Sequence, residues 1–272
     1  MGKISAHLSD GDLDFLIETV HPEVVDKIKL KQIIREDEGF RNSFITDEKV
    51  FTRIIHDEEI LLKISPILFF EILLRRVAIE LKGVSYTLEK TSTMKIPVFD
   101  AKEVVDLLNR ESLLDYLAHM LSSFTKIENY IVWIKTIKGN WEKIQFNDLD
   151  IFSLMELCEV VEDEHRLGFY KKIADLCLFI LGIFPDYAEQ EYRYPLSGQI
   201  RPNFRGKLRI SPDEYEKEGR RFYKLAAEHK SAKDLNLSEV FWALHENFQQ
   251  AKKPLNFIAD FYLRSKRHKL FV

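Results

Sequence analysis

Apolar residues recur along this chain at intervals of three and four through most of its length, and that spacing predicts a succession of helices. The strongest case is Ser65–Gly83, reading SPILFFEILLRRVAIELKG. Ser65 offers an N-cap, Pro66 suits the first helical position and Gly83 supplies a left-handed stop. Between them Leu68, Phe69, Ile72, Leu73, Val77 and their neighbours leave almost no polar face, which predicts a core helix enclosed for most of its length. Phe169–Phe184, ended by Pro185, is a second apolar helix and the natural packing partner of the first.

Around these two the chain reads in order. Ser9 or Asp10 caps a first helix with Leu13, Leu16, Ile17 and Val20 on one side. Pro22 starts a second, carrying Val24, Val25, Ile28, Ile33 and Ile34, and Asp47 opens a third with Val50, Phe51, Ile54 and Ile55. From Val84 to Phe99 the period shortens to two, so a short hairpin is expected. Asp100 caps the next helix, broken near Asn109, whose buried side runs from Val104 to Leu121. β-branched and aromatic residues flank Gly139-Asn140 in YIVWIKTIKGNWEKIQF, the pattern of a hairpin closed by a two-residue turn. A helix from Asn147 or Asp148 to Glu162 follows, and a loop is expected from Asp186 to Ser211. Ser211-Pro212 opens a helix with Tyr215, Phe222, Tyr223, Ala226 and Ala227. Two more are expected, from Asn236 to Phe248 and from Pro254 to Arg264. The predicted fold is mainly α, a compact multi-helix assembly with one or two small β-hairpins, in a single helical domain over 1–272 with a subdomain seam near 130–147.

Composition narrows the setting. A chain of 272 residues buries a substantial core without staples, and its two cysteines, Cys158 and Cys177, lie in apolar helical pattern. The N-terminus lacks the apolar stretch of a secretory signal, and the longest uncharged apolar run, Leu176 to Phe184, is too short to span a bilayer; a soluble cytoplasmic protein is expected. Forty basic against 44 acidic side chains give a net charge of −4, so an anionic partner would have to be held by a local patch.

One such patch stands out. Tyr192 to Ile210 carries Arg193, Arg201, Arg205, Lys207 and Arg209 with no acidic residue, interleaved with Tyr192, Tyr194 and Phe204. Guanidinium groups grip phosphates or carboxylates and aromatic rings offer stacking surfaces, and Arg220 and Arg221 extend the patch onto the following helix. The expected function is a non-enzymatic cytoplasmic interaction protein that holds nucleic acid or an acidic protein surface. The competing account has the arginines pairing with acidic helix faces. A second basic cluster, Arg264 to Phe271, is explained by cations at a helix C-terminus.

Enzymatic alternatives are thinner. His21, His56, Asp57 and Asp115 follow the order of metal ligands in the helical HD-type phosphohydrolases, although Glu58-Glu59-Ile60 replaces the small, glycine-containing sequence usual after the His-Asp pair. Glu162 and His165 have the Glu-x-x-His spacing of di-iron bundles, but no second copy accompanies them. Walker and dinucleotide glycine loops and a nucleophile elbow are absent from the sequence, and no cofactor is expected.

Phe184-Pro185-Asp186, the basic stretch, Tyr215, Gly219-Arg220 and Tyr223-Lys224-Leu225-Ala226 together resemble a group of uncharacterised prokaryotic helical proteins. The resemblance covers roughly the last third of the chain and implies no activity.

Overall fold

The central helix forms because its start is satisfied twice over. In the computed structural model, which describes residues 8–90, 95–126, 129–135, 141–147, 151–186, 211–264 and 266–271, α6 (Pro66–Leu81) begins where Ser65 Oγ accepts the Leu68 N–H at 3.2 Å. The Ser65 N–H donates to the buried Asp12 carboxylate at 2.7 Å. Asp12 also accepts from the Ser9 N–H and hydroxyl, closing the capping box of α1 (Asp10–Val20), so one carboxylate ties two helix starts together. The helix ends differently from expectation. Gly83 is not in the left-handed region, and the last turn tightens instead, with Gly83 and Val84 donating to Glu80 and Leu81.

Four short helices follow α1: α2 (Lys27–Glu36) and α3 (Glu38–Ile45), which pack against α1 and each other, α4 (Glu48–His56), which packs against α1, α3 and α6, and α5 (Ile60–Lys63), which packs against α1. The second begins later than Pro22. Asp26 is its cap and accepts from Lys29, Pro22 lies in a turn, and Val25 is 99% and Ile28 83% exposed while only Ile34 is buried. β1 (Thr87–Lys90) and β2 (Lys95–Val98) then form an antiparallel hairpin, with Thr87 opposite Val98 and Lys90 opposite Lys95.

α7 (Ala101–Leu108) and α8 (Glu111–Ser123) follow, broken at Asn109 as the sequence indicates. A second hairpin, β3 (Asn129–Lys135) with β4 (Trp141–Asn147), pairs Lys135 with Trp141. The turn expected at Gly139-Asn140 lies outside the described residues.

α9 (Ile151–Val160) and a 3₁₀ turn (Asp163–His165) lead into α10 (Arg166–Ile183), which is buried from Ile173 to Ile183. α11 (Pro212–Glu228) lies along α10, its start closed by a Ser211–Glu214 capping box. The two helices approach closely at Gly219, where a Cβ would stand 2.5 Å from the Phe248 ring and 2.9 Å from Cys177 Cβ. Their contact also encloses a polar knot in which the Asp175 carboxylate accepts from the Tyr116 and Tyr223 hydroxyls at 2.6 and 2.8 Å and from Lys171 Nζ at 2.6 Å. All the acceptor work of this buried group is done inside the protein, which gives it a structural role.

α12 (Lys230–Asp234), α13 (Ser238–Glu246) and α14 (Phe248–Phe257) complete the core. Pro254 lies inside α14 rather than at a helix start, and a π-turn (Ile258–Tyr262) follows at once, with the Leu263 N–H reaching back five residues to the Ile258 carbonyl. The short α15 (Arg267–Leu270) ends the described chain. Its basic residues cap other helices: Lys266 Nζ donates to the Ile55 carbonyl at the end of α4, and Arg267 to the Ile183 carbonyl at the end of α10. Phe271 is buried against Phe70, Phe179 and Phe184. The architecture is mainly α with two small hairpins around one contiguous hydrophobic cluster reaching from Leu8 to Phe271, and no helix among the described residues is long and apolar enough to cross a membrane.

Candidate functional site

Asp100 stands at the cap position of α7 yet makes no capping bond, because its carboxylate is engaged elsewhere. It accepts from the Thr87 hydroxyl on β1 and from Nζ of Lys253 on α14. Lys253 is a rare kind of lysine, 5% exposed, and its ammonium lies 3.1 Å from Glu89 as well. Burial of an ammonium is tolerated here because two carboxylates flank it. The neighbouring Lys252 is held below its ordinary range, first by burial, with Glu216 and Glu89 pulling the other way.

Lys253 forms part of the wall of a cavity of about 180 Å³ between β1, the end of α6, α14 and the π-turn. The wall is mostly apolar, from Leu81, Val84, Tyr86, Leu88, Phe257 and Phe261, with Thr87, Asn256 and Asp260 as further polar groups and Pro185 at one side. Asn256 is fixed in place by donating to the Leu181 and Gly182 carbonyls at 2.9 and 2.8 Å.

Outside the cavity the apolar surface continues. Of the thirteen large hydrophobic residues exposed among the described residues, five gather here: Val84, Tyr86, Leu88 and Phe261 on the cavity wall and Phe99 beside Tyr86, with Phe99 77% and Phe261 61% exposed. Phe99 packs edge-on to Tyr86 at 6.2 Å, whereas Ile96, opposite Glu89 in the hairpin, lies on the other face from Leu88. Scattered exposed apolar residues are ordinary, whereas a cluster around a cavity marks a contact surface.

The sites expected from sequence fare unequally. The stretch carrying Arg193, Arg201, Arg205, Lys207 and Arg209 lies outside the described residues. Arg220 and Arg221 are half exposed on α11 and paired within their own helix, Arg220 3.9 Å from Glu216 and Arg221 2.8 Å from Glu218. Arg221 also lies over the Phe222 ring.

His21, His56, Asp57 and Asp115 are not gathered into a ligand set. Among the described residues, one group of three or more such side chains has its ligand atoms within 4.8 Å of one another, and it is Glu162, Glu164 and His165. The reason is that the four belong to unrelated environments. His21 ends α1 against Phe44, His56 turns Nδ1 to the Thr52 carbonyl, Asp57 pairs with Lys63, and Asp115 is buried in mid-α8. Glu162, Glu164 and His165 do meet, as their spacing allows, but all three are exposed on a turn where water solvates them.

Asp115 has its own interest. Its Oδ1 is buried without a hydrogen-bond partner, and burial, together with Glu71 and Glu111, raises the carboxyl from 3.8 to about 7, against the pull of Arg41 and Arg75.

Lys253 escapes a sequence reading because lysine is the residue least expected inside, and because a helix start at Pro254 puts it in a linker. No family model, curated protein or solved structure matches the chain.

Proposed function

We propose that this chain is a non-enzymatic interaction protein whose contact face is the apolar surface around the Lys253 cavity. The basic stretch that follows Pro185 in the chain, Arg193 to Arg209, grips anionic groups of the partner, whether nucleic acid or an acidic protein surface. The observation that carries the reading is the clustering of the exposed Val84, Tyr86, Leu88, Phe99 and Phe261 around the cavity. Chain connectivity supports joining the two features, since Pro185 borders the cavity and the basic stretch begins a few residues after it.

Titration of a single-stranded oligonucleotide and of poly-glutamate at two salt concentrations tests the anionic half. Binding falls steeply with salt, and replacing Arg201, Arg205 and Arg209 together by alanine weakens it and flattens the slope with the melting temperature unchanged. Absence of binding to both near physiological salt, with a lowered melting temperature in the triple variant, contradicts it.

A further inference from the structure

We infer that β3 pairs edge to edge with β3 of a second copy of this chain, antiparallel and centred on Val132, so that two hairpins join into one four-stranded sheet. The interface uses neither the Lys253 cavity nor the basic stretch.

A two-stranded hairpin has two outer edges, each a row of main-chain donors and acceptors able to pair with another strand. Among the described residues β4 is the one strand that pairs with β3, and the main described neighbour of this hairpin, α9, adjoins β4. The strands differ in how far their edges are protected. β2 reads KIPV, and both its lysine and Pro97 discourage a further strand. β4 carries Glu142 and Lys143 within its span. β3 reads NYIVWIK, seven residues with no proline or glycine, and its one charge comes at the last position, Lys135. A run of β-forming residues of this kind is what protein sheets otherwise blunt or cover.

The order of residues in β3 says what fits it. Turned end for end about Val132, the strand sets Tyr130 opposite Ile134 and Ile131 opposite Trp133 of the other copy, with Val132 opposite itself. Each of the first two pairs joins an aromatic to a β-branched residue, a combination that stabilises antiparallel neighbours. Opposite residues share a face, so Tyr130, Val132 and Ile134 lie on one side of the hairpin with Ile144 and Phe146. The register centred on Val132 continues that face across all four strands. A shift by one residue would set the Tyr130 side of one copy beside the Ile131 side of the other.

Charge selects the antiparallel direction and the size of the assembly. Lys135 of each copy falls opposite Asn129 of the other, which separates the two lysines by about 20 Å at about 3.4 Å per residue. Parallel in-register pairing would set them side by side, where like charges repel. Both outer edges of the joined sheet are then β4, with its Glu142 and Lys143, and growth stops at two copies.

The test is sedimentation velocity of the full chain from about 1 to 100 µM, in which a species of twice the chain mass forms. Val132→Lys and Val132→Glu each set like charges face to face at the two-fold and weaken dimerisation by about tenfold or more. An equimolar mixture of the two, in which lysine meets glutamate, regains it, and that recovery separates lost pairing from lost folding. A spin label on Lys135→Cys, with the native Cys158 and Cys177 buried, reports about 20 Å between the labelled backbone positions. The inference is overturned by a native chain that stays monomeric at about 100 µM, by mass that grows past the dimer, by either charged variant dimerising as the native chain does, by a mixture no tighter than its components, or by labelled positions about 5 Å apart, the spacing of parallel pairing.

Discussion

Asp115 makes the stability of this protein depend on pH in the direction opposite to most carboxylates. The side chain is 5% exposed on α8, its Oδ1 has no partner, and Glu71 and Glu111 lie close enough to disfavour a further negative charge. Arg41 and Arg75 pull the other way without prevailing, Arg75 being engaged by Glu71 at 2.8 Å and Glu111 at 2.5 Å. With the carboxyl raised from 3.8 to about 7, the folded protein keeps a proton that the unfolded chain has released. Between these values the unfolded state binds fewer protons, so stability falls as pH rises through the window. It is fully present below about 4, and about 4 kcal/mol of it is gone once pH exceeds about 7, at about 1.4 kcal/mol for each tenfold change in proton affinity. Asp115→Asn removes the titration while keeping the shape. Urea unfolding of both proteins at pH 5, 6, 7 and 8 isolates the residue, because every other group titrates in both. The asparagine variant matches the native chain within about 1 kcal/mol at pH 5 and exceeds it by about 3–4 kcal/mol at pH 8. Parallel pH dependences, or a native chain that gains on the variant as pH rises, would refute the reasoning.

Three further outcomes follow from the packing. Gly219→Ala puts a methyl against the Phe248 ring and Cys177 between α10 and α11 and lowers stability by about 1–3 kcal/mol, which thermal or urea unfolding reads directly. Leu73→Ala and Leu178→Ala, both at fully buried positions, each cost about 2–5 kcal/mol, and losses below about 1 kcal/mol at both would mean that the core lies elsewhere. Cys158, pushed up to about 11 by burial, and Cys177, pushed well above the usual thiol range by burial first, label slowly with a thiol reagent on the native protein at pH 8; rapid stoichiometric modification of either contradicts their placement.

What the sequence disclosed, and what it concealed, divides along physical lines. Helix starts were legible where a side chain acts locally: Ser65, Asp47 and Ser211 all cap as read, through bonds to amides two or three residues away. Starts tied to a proline alone misled. Pro22 lies in a turn and Pro254 inside α14, because proline fixes its own φ without forming the bond that begins a helix.

The face of a short amphipathic stretch was no better fixed. Val25 and Ile28 continue a helical period yet point to water: Val25 precedes the start of α2, and α2 packs mainly on its chain neighbours α1 and α3 through another face. The cavity was hidden because its parts are remote in sequence. Thr87, Asp100 and Lys253 meet across as many as 153 residues of sequence, and Asp100 looked like an ordinary cap until Lys253 and Thr87 claimed its oxygens. Conversely, the apparent metal order of His21, His56, Asp57 and Asp115 was a sequence pattern with no spatial counterpart, as chain order alone places no two side chains together.

The claim that the apolar face and the basic stretch form one contact surface is tested most directly by amide hydrogen exchange on the full chain, with and without a random glutamate–tyrosine copolymer. That polymer offers carboxylates, rings and backbone carbonyls at once, and poly-glutamate serves as the control. Amides of β1, β2 and the π-turn gain protection with the copolymer beyond what poly-glutamate gives, and Phe99→Ser with Phe261→Ser removes the difference. Binding of the copolymer that leaves 84–99 and 257–262 exchanging as in the free protein would contradict it.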